Sequence, residues 1–164
     1  MLFHRLAALI LALILLMFPL SAQAASSSST SSVNSSGEFA GKDFSGKSLQ
    51  QVSFASANLT QTNFSNADLQ GAVFNGSTMT KANLHGADFT NGIAYLVNFT
   101  GADLSDAVLV EAIMLRSTFE NADITGADFS DTVVDGPVVK QLCSRATGVN
   151  SKTGVATRES LGCR

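Results

Sequence analysis

The chain lacks most of the residue groups that support catalysis or metal binding. Its 164 residues include two cysteines and two histidines, and only His85 lies beyond the first 24 residues. There is no Ser/His/Asp or Cys/His arrangement and no glycine-rich phosphate loop, and two thiols without further ligands do not make a metal site. The net charge of −3 also lacks the basic excess of nucleic-acid-binding proteins. We therefore expect no enzyme activity, no cofactor, no metal and no nucleic-acid partner.

Residues 1–24 have the composition of a secretory signal peptide. MLFHR carries positive charge, LAALILALILLMFPL is continuously apolar, and Ala22-Gln23-Ala24 is a small-residue cleavage site. The apolar run is short for a membrane span, which needs roughly 20 residues. There is no twin arginine, and no cysteine lies near the cleavage site. We predict export with cleavage after Ala24, to a periplasm or a thylakoid lumen, and no membrane association afterwards.

Residues 25–36 read ASSSSTSSVNSS, in which Val33 is the one apolar side chain larger than alanine. Such a segment buries too little apolar surface to offset the entropy of ordering. We predict a disordered serine-rich linker.

From Phe39 onward an apolar residue recurs at every fifth position. Two residues before each of these centres the side chain is small, and alanine fills ten of the 16 such positions from Ala57 to Thr132. A period of five fits neither a helix nor a strand. It predicts a coil that turns a corner every five residues, with the centre and the small residue inside. The centres are Phe39, Phe44, Leu49, Phe54, Leu59, Phe64, Leu69, Phe74, Met79, Leu84, Phe89, Ala94, Phe99, Leu104, Leu109, Met114, Phe119, Ile124, Phe129 and Val134.

Units such as ANLTQ, ADLQG, ANLHG and ADFTN resemble the A-(D/N)-L-x-x pattern of the pentapeptide-repeat family. The resemblance implies an all-β fold over residues 37–135, a right-handed quadrilateral β-helix with four repeats per coil. Twenty repeats would then make five coils, roughly 24 Å long at about 4.8 Å per coil. Lys42 and Lys47 depart from the pattern at the small inward position. Because an unpaired ammonium is not buried, we expect a frayed or open-ended first coil with both amines in solvent.

Four repeats per coil would stack residues that are 20 positions apart, so the outward residues before each centre form four rows, one on each face. The first three rows are mostly polar and the fourth is mostly aliphatic. The rows are Glu38, Asn58, Thr78, Asn98 and Thr118; Asp43, Asn63, Asn83, Asp103 and Asp123; Ser48, Asp68, Asp88, Val108 and Asp128; and Ser53, Val73, Ile93, Ile113 and Val133.

The aliphatic fourth face is the candidate interaction site. An exposed apolar stripe usually marks a surface that something covers. β-Branched residues also suit strands, and the chain's own tail is a second candidate for the cover. We predict an unknown protein partner, or a second copy of the chain, on this face. Its residues are Val73, Ile93, Tyr95, Leu96, Ile113, Leu115 and Val133.

The segment NGIAYLVNF, residues 91–99, places two small residues inside the third coil. Gly92 and Ala94 both occupy inward positions, so the core there is short of side-chain volume. We expect either that Met114 bends into the gap or that a local bulge turns Ile93 or Tyr95 inward.

The aspartates of the second and third rows have two functional interpretations, a surface that mimics nucleic acid and a calcium-binding ridge. Ordinary hydrogen bonding to the turns is the favoured interpretation, because asparagine interrupts the second row and no calcium-loop motif is visible. Some pentapeptide-repeat proteins bind DNA topoisomerases by copying the shape and charge of DNA. An exported protein would not meet a cytoplasmic topoisomerase.

Residues 136–164 leave the repeat and are predicted to cap the last coil. Val138, Val139, Leu142 and Cys143 are spaced for one face of a short helix, and Thr157 could cap a second helix that ends before Gly162. A cap would cover the apolar centres and unpaired edges of the last coil.

Cys143 and Cys163 are the only cysteines, and in an exported chain they predict a disulfide. A redox-regulated thiol pair is the alternative. QLC and TGVATRESLGC resemble the tail of the thylakoid-lumen members of the family, in cyanobacteria and chloroplasts. That resemblance implies a small helical cap closed by a disulfide. The leading functional hypothesis is a lumenal or periplasmic interaction or scaffold protein, with a redox-responsive protein as the alternative.

Overall fold

Residues 37–164 are described by the computed structural model. The predicted signal peptide and the predicted linker lie outside the described residues. Parallel backbone bridges join residues that are 20 positions apart, from Glu38–Asn58 at the start to Ile113–Val133 at the end. Each bridge is a single residue long, and the bridged residues fall into the four rows expected from the sequence. Five stacked positions in each row make five coils.

A tight turn follows each inward centre from Phe39 to Phe129. The residue two positions after the centre has positive φ, and in most of these turns the next amide donates to the carbonyl of the centre, as from Lys42 to Phe39 at 3.0 Å. The Val97 amide instead donates to Ser117 Oγ. Positive φ at the third turn position is characteristic of type II turns and favours glycine or asparagine. Leu96, with φ of 58°, occupies one of these positions. The turns are therefore set by position in the repeat, whatever side chain stands there.

The inward centres form a continuous apolar core. Every centre from Phe54 to Phe129 is no more than 2% exposed. Phenylalanine rings one coil apart stack almost parallel, with centroids 5.3 Å apart for Phe54 and Phe74 and 5.1 Å apart for Phe99 and Phe119. The interior is thus filled with side chains packed at close contact.

Hydroxyl groups occupy some of the small inward positions and find partners inside the coil. Ser77 Oγ donates to the Phe54 carbonyl at 2.5 Å, and Ser117 Oγ donates to the Ala94 carbonyl at 2.6 Å. Ser117 Oγ also accepts the Val97 amide at 2.9 Å. Because these buried polar atoms are satisfied, serine and threonine can replace alanine there.

Phe89 fills the space beside Gly92. A Cβ atom added at Gly92 would lie 2.2 Å from Phe89 Cε2, so the ring occupies the volume that the glycine leaves. The expected bulge is wrong, because Ile93 keeps its row and bridges both Val73 and Ile113. Met114 remains a buried centre. The side chain beside Gly92 is that of Phe89, which neither expectation included.

The first coil is regular and open-ended. Phe39 and Phe44 donate their amides to the second coil, to Asn58 at 2.9 Å and Asn63 at 2.7 Å. Lys42 and Lys47 are exposed, as expected for amines at the small inward position. The open end therefore places these charges in solvent without loss of backbone pairing to the second coil.

Two short helices follow the last coil. Helix α1 is Gly136–Cys143 and helix α2 is Thr157–Ser160. Leu142 of α1 is fully buried, and Val138 packs on the same core. The expected cap by Thr157 is wrong: Ala156 holds the N-cap position with no side-chain cap, and the buried Thr157 hydroxyl donates to the Ile124 carbonyl at 3.5 Å.

A disulfide joins Cys143 to Cys163, as predicted, with their Cα atoms 5.5 Å apart. Between the helices, residues 147–156 form a segment that we name the strap. It is closed on itself by an antiparallel bridge between Val149 and Ala156. Within residues 37–164, no helix has the length and hydropathy needed to cross a bilayer.

Candidate functional site

The fourth face is built on one bridged row. Val73, Ile93, Ile113 and Val133 stack through consecutive parallel bridges, and their side chains point outward because their neighbours on both sides fill the core. Val73 and Ile93 are partly exposed, whereas Ile113 is 39% and Val133 is 47% exposed. The stripe is therefore most accessible towards its C-terminal end.

The turn after this row carries the remaining predicted residues. Tyr95 and Leu115 lie 20 positions apart and are partly exposed, and Leu96 is 52% exposed. The Tyr95 amide donates to Asn75 Oδ1 at 3.0 Å, and the Leu96 amide donates to the Leu115 carbonyl at 3.1 Å. The structure thus brings all seven predicted residues onto one face and the corner beside it.

Arg116 belongs to the same corner and was missed from the sequence. Its guanidinium carbon lies 5.8 Å from the centroid of the Tyr95 ring, within range of a cation–π interaction. Its amide donates to the Asp135 carboxylate at 2.6 Å. Residues 20 positions apart stack, so Arg116 lies beside Leu96 as Leu115 lies beside Tyr95. The 20-residue spacing in the sequence could therefore have predicted Arg116 as well. Tyrosine and arginine often dominate binding energy at interfaces.

The strap covers a different face. The Gly126 amide donates to the Thr147 carbonyl at 2.8 Å, and Lys152 Nζ donates to the Gly86 carbonyl. The strap therefore runs back over three coils at the corner between the second and third faces. Under it Val108 and Asp128, outward residues of the third face, are buried. Of the two expected covers for the fourth face, the C-terminal tail is ruled out.

The acidic rows bond to the turns. Asp43 accepts the Ser45 amide at 2.9 Å, and Asp123 accepts the Thr125 amide at 2.9 Å. These backbone hydrogen bonds are the main reason that the pKa of each carboxyl lies below its ordinary value. The structure supports the turn-bonding interpretation for these residues.

His85, Ser105 and Asp103 meet on the second face without forming a catalytic relay. His85 Nδ1 lies 2.9 Å from Ser105 Oγ, and Ser105 Oγ donates to Asp103 Oδ1 at 2.6 Å. With the Ser105 hydroxyl donating to Asp103, only the His85 tautomer that carries its proton on Nδ1 completes the hydrogen bond to Ser105 Oγ. A nucleophile needs the reverse arrangement. Within residues 37–164 no three His, Cys, Asp or Glu side chains are grouped to hold a metal ion.

A family model for pentapeptide repeats, with eight copies, matches residues 39–71, 57–93 and 96–133. The chain is similar to the crystal structure of a pentapeptide repeat protein from the Arabidopsis thaliana thylakoid lumen, with 38% identity and a TM-score of 0.57 over 78% of this chain and 89% of that one. It also matches the pentapeptide repeat protein Rfr23 from the cyanobacterium Cyanothece 51142, with 26% identity and a TM-score of 0.43 over 54% of this chain and 64% of that one.

Among curated proteins, the chain is 60% identical over 38 residues to the chloroplastic thylakoid lumenal protein TL20.3 of Arabidopsis thaliana. That match covers 23% of this chain and 14% of the relative. The five-residue period, the rows bridged at intervals of 20 and the matched repeat model agree, and the chain belongs to the pentapeptide repeat family.

Proposed function

We propose that this protein is a non-enzymatic interaction module of the thylakoid lumen that binds a partner protein through its fourth face. The observation that carries the proposal is the exposure of Leu96, Ile113 and Val133, while the chain's own tail covers the third face. A contiguous apolar patch on a folded protein is characteristic of a binding surface.

The geometry of the patch suits rigid recognition. Four β-branched side chains at about 4.8 Å intervals make a strip roughly 14 Å long. Valine and isoleucine have few rotamers, so they lose little conformational entropy when a partner covers them. Tyr95 and Arg116 fix each other at the corner, which supplies an amphipathic anchor beside the strip.

The location rests on two supports. Residues 1–24 have the features of an export signal. The chain is also similar to a pentapeptide repeat protein of the Arabidopsis thylakoid lumen over 89% of that protein's length. Fractionation of chloroplasts or cyanobacterial cells, with detection of the mature chain, tests this part separately. Recovery of the chain in the stroma or cytoplasm would contradict it.

Site-specific photocrosslinking tests the face. A photoreactive residue is placed at Ile113 or Val133 on the fourth face, and at Asn98 or Thr118 on the first face as the matched control, because all four are exposed outward row residues. Crosslinking in intact thylakoids should give a discrete product from the fourth face alone. Equal products from both faces would contradict the proposal.

The mass of that product separates two kinds of partner. A product of twice the chain mass would identify a second copy of the protein, and any other mass would identify a different protein. Both satisfy the proposal that the fourth face binds protein.

A redox response through Cys143 and Cys163 is a second candidate function. The disulfide joins Cys143, at the end of α1, to Cys163, which lies beyond the end of α2 at Ser160. Its reduction would remove the constraint on the segment between the two cysteines. Reduction should change partner binding or protease resistance. A disulfide whose reduction changes neither would contradict this candidate.

A further inference from the structure

The strap conceals outward residues that the rest of the third face leaves accessible. In the third row Ser48 is exposed and Asp68 and Asp88 are partly exposed. Val108 and Asp128, one and two coils further on, are only 7% and 1% exposed. The chain therefore carries a strip of surface, around these two residues, that its own tail covers.

A single buried side chain anchors the strap. Asn150 Nδ2 lies 3.1 Å, 3.2 Å and 2.9 Å from the carbonyl oxygens of Asp106, Ala107 and Gly126. Its Oδ1 accepts the amides of Lys152 and Thr153, both at 3.0 Å. The asparagine is 1% exposed, so this network is closed to solvent.

The rest of the strap is held weakly. Val149, its largest apolar side chain beside the anchor, is 60% exposed, and residues 151–154 are exposed. Segments with few buried apolar contacts open at low free energy. Asn150 is the one residue of the strap that is itself buried. The other side-chain contacts of the strap, from Ser151 to the Asp106 carboxylate and from Lys152 to the Gly86 carbonyl, are made by exposed residues.

The two ends of the strap are tied together through the disulfide. Cys163 donates its amide to the Arg158 carbonyl at 3.0 Å, and Arg158 Nη1 donates to the Cys143 carbonyl at 2.9 Å. Ser160 Oγ accepts the Phe129 amide at 3.0 Å, which fixes α2 on the last coil. With Cys143 and Cys163 joined, an opened strap remains a closed loop and gains little entropy.

We propose that the strap is a redox-controlled cover of the third face, which stays closed while the disulfide is intact and opens when it is reduced. The proposal rests on the redox candidate above and is independent of the fourth face. Opening bares Val108, Asp128 and the three carbonyls that Asn150 occupies, and so gives the protein a second surface.

The reductant is a protein dithiol of the thioredoxin class. Its thiolate attacks one sulfur of the Cys143–Cys163 bond, and the other cysteine leaves as a thiolate and takes up a proton. The second thiol of the reductant then displaces the remaining cysteine, which is also protonated. Two electrons and two protons pass to this chain, and the reductant departs as a disulfide. Cys143 and Cys163 are both partly exposed, so the bond can be reached.

Amide hydrogen exchange measures the opening. The probe amide is that of Gly126, which donates to Thr147 of the strap, and the control amide is that of Asp103, which donates to Ala82 of the coil below. The mature chain is compared oxidised and after treatment with dithiothreitol, with the thiols counted by alkylation and mass spectrometry. Reduction removes the closure of the loop between Cys143 and Cys163. This should raise the equilibrium constant for opening of the strap on the order of a hundredfold. We expect that increase at Gly126 and an unchanged rate at Asp103.

Each other result has a distinct meaning. Two free thiols with an unchanged Gly126 rate would overturn the cover and leave the disulfide purely structural. Equal acceleration of both amides would show that the bond stabilises the whole fold, which also overturns the cover. If dithiothreitol yields no thiols under folding conditions, the redox candidate itself fails, and with it the redox control of the strap.

Two variants complete the test. The double variant Cys143→Ser with Cys163→Ser should reproduce the fast Gly126 exchange without reductant. Asn150→Ala, with the disulfide intact, should also accelerate Gly126, because it removes the one buried anchor. A slow Gly126 amide in Asn150→Ala would contradict the anchor and the cover built on it.

Discussion

Phe89 and Gly92 show how the coil accommodates a missing side chain. The ring lies where a Cβ of residue 92 would be, and it is tilted 38° from the Phe74 ring with centroids 5.4 Å apart. The sequence could predict the shortage of volume, because both inward positions are small. It could not predict the filler, because the choice among neighbouring rotamers depends on packing in three dimensions.

Gly92→Ala should destabilise the protein through overpacking. The added methyl would lie between 2.2 and 2.4 Å from three atoms of a buried ring, so Phe89 must move within a full core. We expect a loss of about 1–3 kcal/mol in the free energy of unfolding, measured by chemical denaturation.

The matched control is Gly136→Ala. A Cβ there meets nothing within 4 Å, and the residue begins α1. Its stability should be unchanged or slightly raised, since alanine favours a helix over glycine. Equal losses in the two variants would contradict the packing account of Gly92.

Leu96 is unfavourable for stability in two ways, through its backbone conformation and through its exposed apolar side chain. Its backbone has φ of 58°, in the left-handed region, and its side chain is half exposed. Residues that are unfavourable both for the backbone and for solvation are often kept for function. Binding of a partner at the fourth face, as proposed above, would give Leu96 such a function.

Leu96→Asn should therefore stabilise the protein and weaken partner binding. Asparagine tolerates left-handed φ, so we expect up to about 1 kcal/mol of added stability in thermal or chemical denaturation. The reverse change, Asn121→Leu at an exposed turn position with φ of 54°, is the control and should lower stability. Loss of stability in Leu96→Asn would show that the leucine packs on something in the folded chain.

At the scale of elements, α1 closes the solenoid with one dominant side chain. Leu142 is fully buried, and Val134 and Leu161 pack on the same core. The sequence could predict this helix, because its apolar spacing and the preceding Gly136-Pro137 are local signals.

Leu142→Ala should cost about 2–5 kcal/mol of the free energy of unfolding, because a cavity would open beneath the last coil. Its neighbour Gln141 is exposed, so Gln141→Ala should change stability by no more than about 0.5 kcal/mol. Calorimetry of both variants measures the difference. A small loss in Leu142→Ala would mean that the last coil does not depend on the cap.

The strap illustrates what the sequence could not supply. Its path depends on Asn150 meeting three main-chain carbonyls and on Gly126 and Gly148 approaching each other, where an added Cβ on Gly148 would lie 2.7 Å from the Gly126 nitrogen. Main-chain acceptors carry no sequence signature, so the face that the tail covers was left open. The four rows, by contrast, follow from counting by 20.

Asp106 should make the strap sensitive to acid. Burial pushes the pKa of Asp106 up, but hydrogen bonds from Ser151 and the charges of His85 and Lys152 outweigh it and hold the pKa below the ordinary 3.8. A lowered pKa in the folded state means stabilisation that is complete above the unfolded value and is lost as the pH falls through the folded value.

We therefore expect the Gly126 amide, corrected for its intrinsic rate, to lose protection as the pH falls below about 3.8. Asp106→Asn should reduce this dependence without abolishing it. Burial pushes up the pKa of Asp128, under the strap, but hydrogen bonds from Ser130 and from Thr153 of the strap outweigh it and hold that pKa below 3.8 as well. A strap whose protection is independent of pH down to the acid unfolding of the coils would contradict the role of this carboxylate.

At the scale of the whole molecule, the four faces are unequal. Asparagine and aspartate side chains accept turn amides on the first two faces, the strap covers part of the third, and the fourth presents an aliphatic stripe. The difference in polarity among the four faces could be predicted from the sequence, because it depends on which residues share a row. That the C-terminal tail lies on the third face and not on the fourth could be learned only from the structure.

The most direct test of the fourth face is co-purification with Ile113→Asp. Aspartate fits this register, because Asp88 and Asp128 occupy it on the third face and accept the amides of Thr90 and Ser130. The variant should therefore fold with its melting temperature nearly unchanged. Asn98→Asp, an exposed row residue of the first face, adds the same charge as the control.

Lumenal extracts are passed over the oxidised wild type and both variants, and recovered proteins are quantified by mass spectrometry. The account predicts that Ile113→Asp recovers at least tenfold less of the partner than the wild type, a loss of about 1.4 kcal/mol or more in binding. Asn98→Asp should recover as much as the wild type. Undiminished recovery by a folded Ile113→Asp would contradict the assignment of the fourth face as the binding site.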